Sequence, residues 1–421
     1  MYTSPSASSA VLRKIYGSAS ATAEEIVSVH GRLDPGPCSL ITSSLPLRTV
    51  VLLLLSPWYI SVLQQITKLC RAWLWNGESS CNGGQCRVAW SIVCRPKSLG
   101  GLGVLDFRKF GIALRLRWLW LAWKDDQRPW AQGPLPCSIK ENELFSMATR
   151  ITLGDGAKAS FWNDAWLQGQ CLKLFAPALY NISMRKNRSV KEALAHDTWL
   201  MDLRSGLIEQ MTDELTNLAA LLDDVQLQPD EHDSIVWRFS QKGSYSARSA
   251  YILQFEGAIK FDCHHLIWGA WATGKCRFFV WTAILSKILT ADVLLRPNNY
   301  FCPLCMRNLE TTYHLLVDCP WSRLVWDAIA TMTKLLSLEL ATWNDSSDLK
   351  TWMNMRFRLA QADNRKKVLT VMHLVLWEIW LERNRRIFSL DSRQINVFLK
   401  KVADEIHHWN MAGAGIPFDP G

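Results

Sequence analysis

Apolar residues recur at helical spacing along much of the chain. The stretch RKKVLTVMHLVLWEIWLERNRRIF sets large apolar side chains three or four positions apart and predicts a helix over 365–388. The same period predicts helices over 45–76, from about Asp106 to Trp123, within SRLVWDAIATMTKLL, and from about Gln394 to Trp409. Within 264–297 one helix carries Phe278, Phe279, Trp281, Ile284 and Leu285, and Thr290 caps a short helix ending near Pro297. SVKEALAH and GLIEQMTDELTNLAALL extend the helical pattern into 190–232. Ser234 to Ser240 instead alternates apolar and polar residues, which predicts a strand. Gln241-Lys242-Gly243 is its turn, Ser244 to Ser246 a short returning strand, and Ser246 the cap of a helix through Tyr251 to Phe255. Gly154-Asp155-Gly156 reads as a tight turn before an extended piece carrying Phe161 and Trp162. Residues 340–365 hold no consistent pattern. The predicted class is mainly α with a small β-hairpin.

Composition divides this pattern. At 421 residues the chain is long enough for about two or three domains. Residues 1–44 are biased to small residues and read as a poorly ordered leader, followed by a helical segment over 45–150. Residues 1–150 hold 17 Lys/Arg against 9 Asp/Glu, a balance of +8. Residues 151–232 hold 7 against 12, a balance of −5, and read as an acidic linker region. Residues 233–421 return to +6, with 23 against 17, and divide into a domain over 233–335 and a helical tail over 336–421. Two basic blocks flanking an acidic one suit a polyanionic partner, RNA or DNA. The apolar run Val50 to Leu55 is six residues long and too short to cross a bilayer, so no membrane association is expected. No signal peptide is evident, and the 12 scattered cysteines suggest reduced thiols in the nucleus or cytoplasm.

The strongest chemical signal lies in YFCPLCMRNLETTYHLLVDCP, 300–320. Cys302 and Cys305 form a Cys-x-x-Cys knuckle, with His314 and Cys319 close behind. Three thiolates and an imidazole suit a tetrahedral zinc ion. Pro303 fits the knuckle turn because its φ is preset. Glu310 to Val317 reads as a short helix turning Leu315 and Leu316 to a core and His314 to the metal. With four protein ligands no position is left for water, so the predicted cofactor is a structural Zn2+. The 22 tryptophans are the compositional outlier, many beside bases, as in RLRWLWLAWK and WEIWLERNRR. Such planes can stack on unpaired bases, but their helical spacing favours core packing.

These pieces together are familiar. GSYSARSAY, CRFFVWTAILSKILTADVL, CPLC and ETTYHLLVDCPWSRLVW, in this order, make residues 235–330 resemble the zinc-binding domain that follows the polymerase region in plant non-LTR (LINE-type) retrotransposon reverse transcriptases. RAWLWNG, VAWSIVCRPKSLGGLGVLDF, ALRLRWLWLAW, RPW, GDGAKASFWNDAWL and WEIWLERNRRIF resemble flanking pieces of the same elements, extending the likeness over roughly 45–410. The family's polymerases use a Tyr/Phe-Ala-Asp-Asp turn to hold two divalent ions, and no such tetrapeptide occurs here. Asp125-Asp126 and Asp223-Asp224 do not sit on a strand turn, and neither a phosphate loop nor a Gly-x-Ser-x-Gly elbow is present. The resemblance therefore implies a non-catalytic remnant that supports template RNA or target DNA, alongside other parts of a retrotransposon polyprotein. The basic residues expected to touch phosphates are Lys275, Arg277, Arg307 and Arg323 around the knuckle, and Arg383, Arg385 and Arg386 in the C-terminal helix. The alternatives are a protein-interaction module, or a translated element fragment with no selected function.

Overall fold

The computed structural model describes residues 60–131, 133–204, 209–294, 300–343 and 346–419. The expected leader and the Val50 to Leu55 run lie outside these residues, as do the first part of the 45–76 helix and the Pro297 end of the short helix. Two compact units result, one built on Leu105–Glu256 and the other on Leu69–Val104 with Gly257–Gly421. The class is mainly helical with one two-stranded antiparallel sheet. Among the described residues no helix is long and apolar enough to cross a membrane.

The first unit starts with helix α1, Phe107–Lys124. Asp106 caps it by accepting from the backbone N–H groups of Arg108 and Lys109 at 3.0 and 3.1 Å. Helix α2, Ile139–Ala148, opens on a capping box between Ser138 and Glu141. Glu141 also accepts from Arg115 at 2.6 Å, tying α2 to α1. Strand β1, Thr149–Thr152, follows α2 directly, and after helix α3, Glu209–Asp223, strand β2, Ser234–Trp237, pairs with β1. The register sets Thr149 opposite Trp237 and Ile151 opposite Ile235, burying alternate residues of each strand. The partner expected for this strand, Ser244 to Ser246, does not pair with it. Its turn does form, closed by the Trp237 N–H donating to the Gly243 carbonyl at 2.8 Å. Helix α4, Ala247–Leu253, begins at Ser246, which accepts from the Ser249 N–H at 3.1 Å as predicted.

Residues 151–232, expected as a linker region, supply much of this unit's core. Phe161 is buried against Trp162, Trp166 and Trp199, with ring centroids 5.1, 5.8 and 5.9 Å away. The acidic residues that made the segment resemble a linker alternate with these anchors and leave them free to pack. Ser160 makes an isolated antiparallel bridge with Ser189, and residues 161–163 form a turn rather than the extended piece predicted to carry Phe161 and Trp162.

The loop 154–159 closes around one carboxylate. Asp233 Oδ1 accepts from the N–H groups of Gly154 and Gly156 at 2.8 and 3.0 Å, and Oδ2 from Lys158 and Ala159, both at 2.9 Å. A Cβ on Gly154 would stand 2.2 Å from the Glu231 carbonyl oxygen, so only glycine fits there. Burial pushes the Asp233 carboxyl up, but the four N–H donors outweigh it and hold it below the ordinary carboxylate range. Asp233→Asn should cost the protein about 2 kcal/mol, because a charge-assisted acceptor is lost and an amide N–H2 is set against backbone donors. Because the folded value is the lower one, this contribution is complete above the unfolded value of about 3.9 and fades as pH falls through the folded one. Denaturant melts should therefore show a constant gap between wild type and variant near neutrality that narrows below about pH 4. A gap that does not change with pH would show that the charge is not what matters.

In the second unit, helix α5, Gly274–Ile284, and the short helix α6, Ala291–Leu294, precede the knuckle. Helices α7, Pro320–Thr333, α8, Leu349–Leu359, α9, Arg365–Phe388, and α10, Ile395–Met411, follow it. Helix α9 is central. It packs against α5, α8 and α10, and its run from Val368 to Leu376 is buried all round. Helix α8 lies where no pattern was legible. It is polar in sequence, and its buried Arg356 donates through its two terminal nitrogens to the Ser337 carbonyl and to the hydroxyl and carbonyl of Thr342. The tryptophans are mainly core residues, as their spacing predicted: Trp118, Trp120, Trp237, Trp281, Trp326 and Trp352 are all buried.

Candidate metal centre

Cys302, Cys305, His314 and Cys319 converge, with their candidate ligand atoms all within 4.8 Å of one another. No other group of three or more His, Cys, Asp or Glu side chains could hold a metal ion among the described residues. The backbone explains the convergence. The Cys302 N–H donates to the Asn308 carbonyl and the Met306 N–H to the Cys302 carbonyl, each at 2.7 Å, folding 301–309 into a tight knuckle. Met306 reverses the chain with a left-handed backbone, φ 54°.

His314 and Cys319 reach the same point by a different device. The sequence predicted an ordinary short helix from Glu310 to Val317. The observed turn is a π-helix over His314–Asp318, closed by the Cys319 N–H donating to the His314 carbonyl at 2.7 Å. In an α-helix residues five apart are rotated by about 140° from one another. The wider turn removes much of that rotation, so both side chains face the knuckle.

The donor set fits zinc. A tetrahedral ion with bonds of about 2.3 Å to sulfur and about 2.0 Å to nitrogen sets donor–donor edges of roughly 3.5–3.8 Å. The Sγ atoms of Cys302 and Cys319 are 3.9 Å apart, and Cys305 Sγ is 3.4 Å from His314 Nε2. Each sulfur also takes two backbone N–H donors: Leu304 and Cys305 on Cys302, Arg307 and Asn308 on Cys305, Trp321 and Ser322 on Cys319. These donors stabilise thiolates. The hydrogen bond from Cys302 is the largest influence on Cys319 and pulls it down to about 4, while the same bond together with burial pushes Cys302 up. His314 is raised to about 9, chiefly by its hydrogen bond to Cys319 and against the effect of burial. The protons held on Cys302 and His314 are the ones an incoming cation must displace. Asp318, ion-paired to Arg323 at 2.7 Å, lies 3.9 Å from His314 Nδ1, leaving Nε2 for the cluster.

Two acidic residues that the sequence reading missed support the knuckle. Glu310, 2% exposed, accepts from Arg383, 4% exposed, through two bonds of 2.6 and 2.9 Å. Its Oε2 also accepts from the Ala291 N–H at 2.7 Å, so Glu310 caps α6 in place of the expected Thr290. Buried Glu382 pairs with Arg385 and Arg386, and accepts from the Arg393 N–H at 3.0 Å. Nothing in the sequence pattern marks either residue, since their partners are set by tertiary packing.

The expected phosphate contacts therefore separate. Arg383 is buried, with its guanidinium held by Glu310 and the Leu289 carbonyl instead of standing free for a phosphate. Arg386 donates to Glu382 and to the carbonyls of Pro303 and Leu304, bracing the knuckle. Arg385 pairs with Glu382 and Asp391. Arg277 donates to the Ala270 carbonyl at 3.0 Å. Arg323 is exposed, paired with Asp318 and set over the Trp343 ring. Lys275 and Arg307 are exposed and have no acidic partner among the described residues.

Comparison with known proteins agrees with this geometry. Residues 245–326 match the family described as zinc-binding in reverse transcriptase. A putative ribonuclease H protein of Arabidopsis thaliana is 24% identical over 438 residues, which cover 94% of this chain and 67% of that protein. No solved structure matches the chain.

Proposed function

We propose, from the premise that residues 245–326 form a reverse-transcriptase-type zinc-binding domain, that this chain is a non-catalytic, retrotransposon-derived accessory region that holds RNA or DNA. The observation that carries this reading is the closed set of four protein donors whose ligand atoms lie within 4.8 Å of one another. Zinc bound there supplies a cross-link, with no open position for substrate or water. The chain's own residues do the rest. The knuckle fixes α6 and α7, and Glu310 and Arg386 join it to α9. Lys275, over the Trp377 ring, and Arg307 have no acidic partner among the described residues and offer their charges to a phosphate backbone, as positional, salt-sensitive contacts. The ribonuclease H name of the Arabidopsis relative fits a nucleic-acid setting.

Fluorescence anisotropy with labelled single-stranded RNA and DNA at about 50 mM salt tests the reading, since counterion release favours binding most at low salt. Binding should weaken steeply with added salt. Lys275→Ala and Arg307→Ala should each reduce the log–log salt slope by about 1. Failure of both polymers to bind would overturn the nucleic-acid role. Polymerase or ribonuclease turnover by the purified chain, abolished by substituting one of its carboxylates, would overturn the non-catalytic one.

A further inference from the structure

Beside the knuckle the second unit carries a groove of about 500 Å3. Phe301, Met306 and Phe388 line it together with Trp380, and Arg87 and Arg386 supply basic groups. Phe301 is 52% and Phe388 72% exposed, large values for aromatic residues in so apolar a unit. Arg386 is committed to Glu382 and the knuckle carbonyls, and Arg383 to Glu310. Arg87 differs from both. It is half-buried, burial alone depresses its ionisation, and it has neither an acidic partner nor a hydrogen bond among the described residues. Its guanidinium nitrogens are open to solvent and hold no counter-ion among the described residues, so they are free to meet an anion entering the groove.

We propose that this groove seats one unpaired nucleotide of a single-stranded nucleic acid, its base against Phe301 and Phe388 and its phosphate on Arg87. The proposal rests on the nucleic-acid reading given above and deepens it to a site. The volume is within the range of small-molecule pockets and accommodates a nucleotide. Flat apolar faces beside one uncommitted guanidinium match a base joined to one phosphate. The charge is complementary too, since the groove's lining holds Arg87, Arg383 and Arg386 against Glu310.

The test uses the full zinc-loaded chain and a labelled uridine-rich single strand. Phe388→Ala removes an exposed ring and should weaken binding about tenfold, the effect of one lost base–aromatic stack. Arg87→Ala should lower the salt slope by about 1, and Arg87→Lys should restore it. Zinc content and the thermal melt should be unchanged in Phe388→Ala. A 4-thiouridine strand should cross-link to peptides holding Phe301, Met306 or Phe388. If the wild type binds and both variants bind as well as it does, the groove proposal fails while the broader reading stands. If the wild type does not bind, both fail. If an acidic, aromatic peptide occupies the groove and a single strand does not displace it, the occupant is a protein and the proposal is overturned.

Discussion

Removing the metal should unfold the centre of the second unit. Cys302 and Cys319 are fully buried and belong to the same apolar cluster as Leu315, Leu316, Val317, Trp326 and Ile329. Without a cation, two sulfurs 3.9 Å apart in that core cannot both be charged, so Cys302 keeps its proton and the N–H groups of Leu304 and Cys305 face a thiol instead of a thiolate. Structural zinc supplies on the order of 10–16 kcal/mol of apparent binding energy in small finger peptides. A whole domain stands only about 5–15 kcal/mol above its unfolded state. Chelation, or Cys302→Ser, should therefore abolish the native signal of Trp326, whose indole N–H donates to the Leu316 carbonyl at 2.9 Å. The measurements are elemental analysis of the purified, reduced protein, with one zinc per chain expected, and near-ultraviolet circular dichroism before and after chelation. Protein lacking bound metal, or a spectrum and melt indifferent to chelator, would refute the centre. Cys86→Ser, a thiol outside the cluster, is the control and should retain full zinc.

The ligands of this centre were legible because sequence spacing alone brings them near one another. The long helices were legible too: α9 spans 365–388 as its periodicity predicted, and α1 begins after the Asp106 cap. What stayed hidden depends on partners distant in the chain. Asp233 holds a loop more than seventy residues before it, and β2 pairs with a four-residue strand that no periodicity could separate from the preceding helix. Helix α8 was obscured because its buried Arg356 counts as polar in any pattern, although three oxygen acceptors hold its terminal nitrogens in the core. The π-turn escaped because a single widened turn leaves no compositional trace. The arginines of α9 show the same limit from the opposite side. Their charge was visible, but the carboxylates that occupy it were not.

Arg383 and Glu310 give that limit a measurable consequence. The pair is bidentate, 73 residues apart in sequence, and almost wholly buried. Each partner also holds something else: Arg383 the Leu289 carbonyl, Glu310 the Ala291 N–H. The guanidinium lies 4.8 Å from the centroid of the Trp380 ring. Removing one member leaves the other charged in a dry site, which typically costs 3–5 kcal/mol, roughly the cost of several surface ion pairs together. Arg383→Ala should thus destabilise the protein by about 4 kcal/mol. Glu310→Gln should cost somewhat less, because the amide oxygen can still accept from one donor. Replacing both, as Arg383→Met with Glu310→Leu, should recover a substantial part of the loss, since buried pairs exchanged for apolar groups of similar volume are often neutral. This double-mutant cycle separates a structural lock from a phosphate contact. A lock predicts strong coupling in denaturant melts and, at temperatures where Arg383→Ala is folded, an unaltered salt slope for nucleic acid. If Arg383→Ala instead melts like the wild type and lowers that slope by about 1, the arginine faces the ligand and the buried pair is not formed in solution.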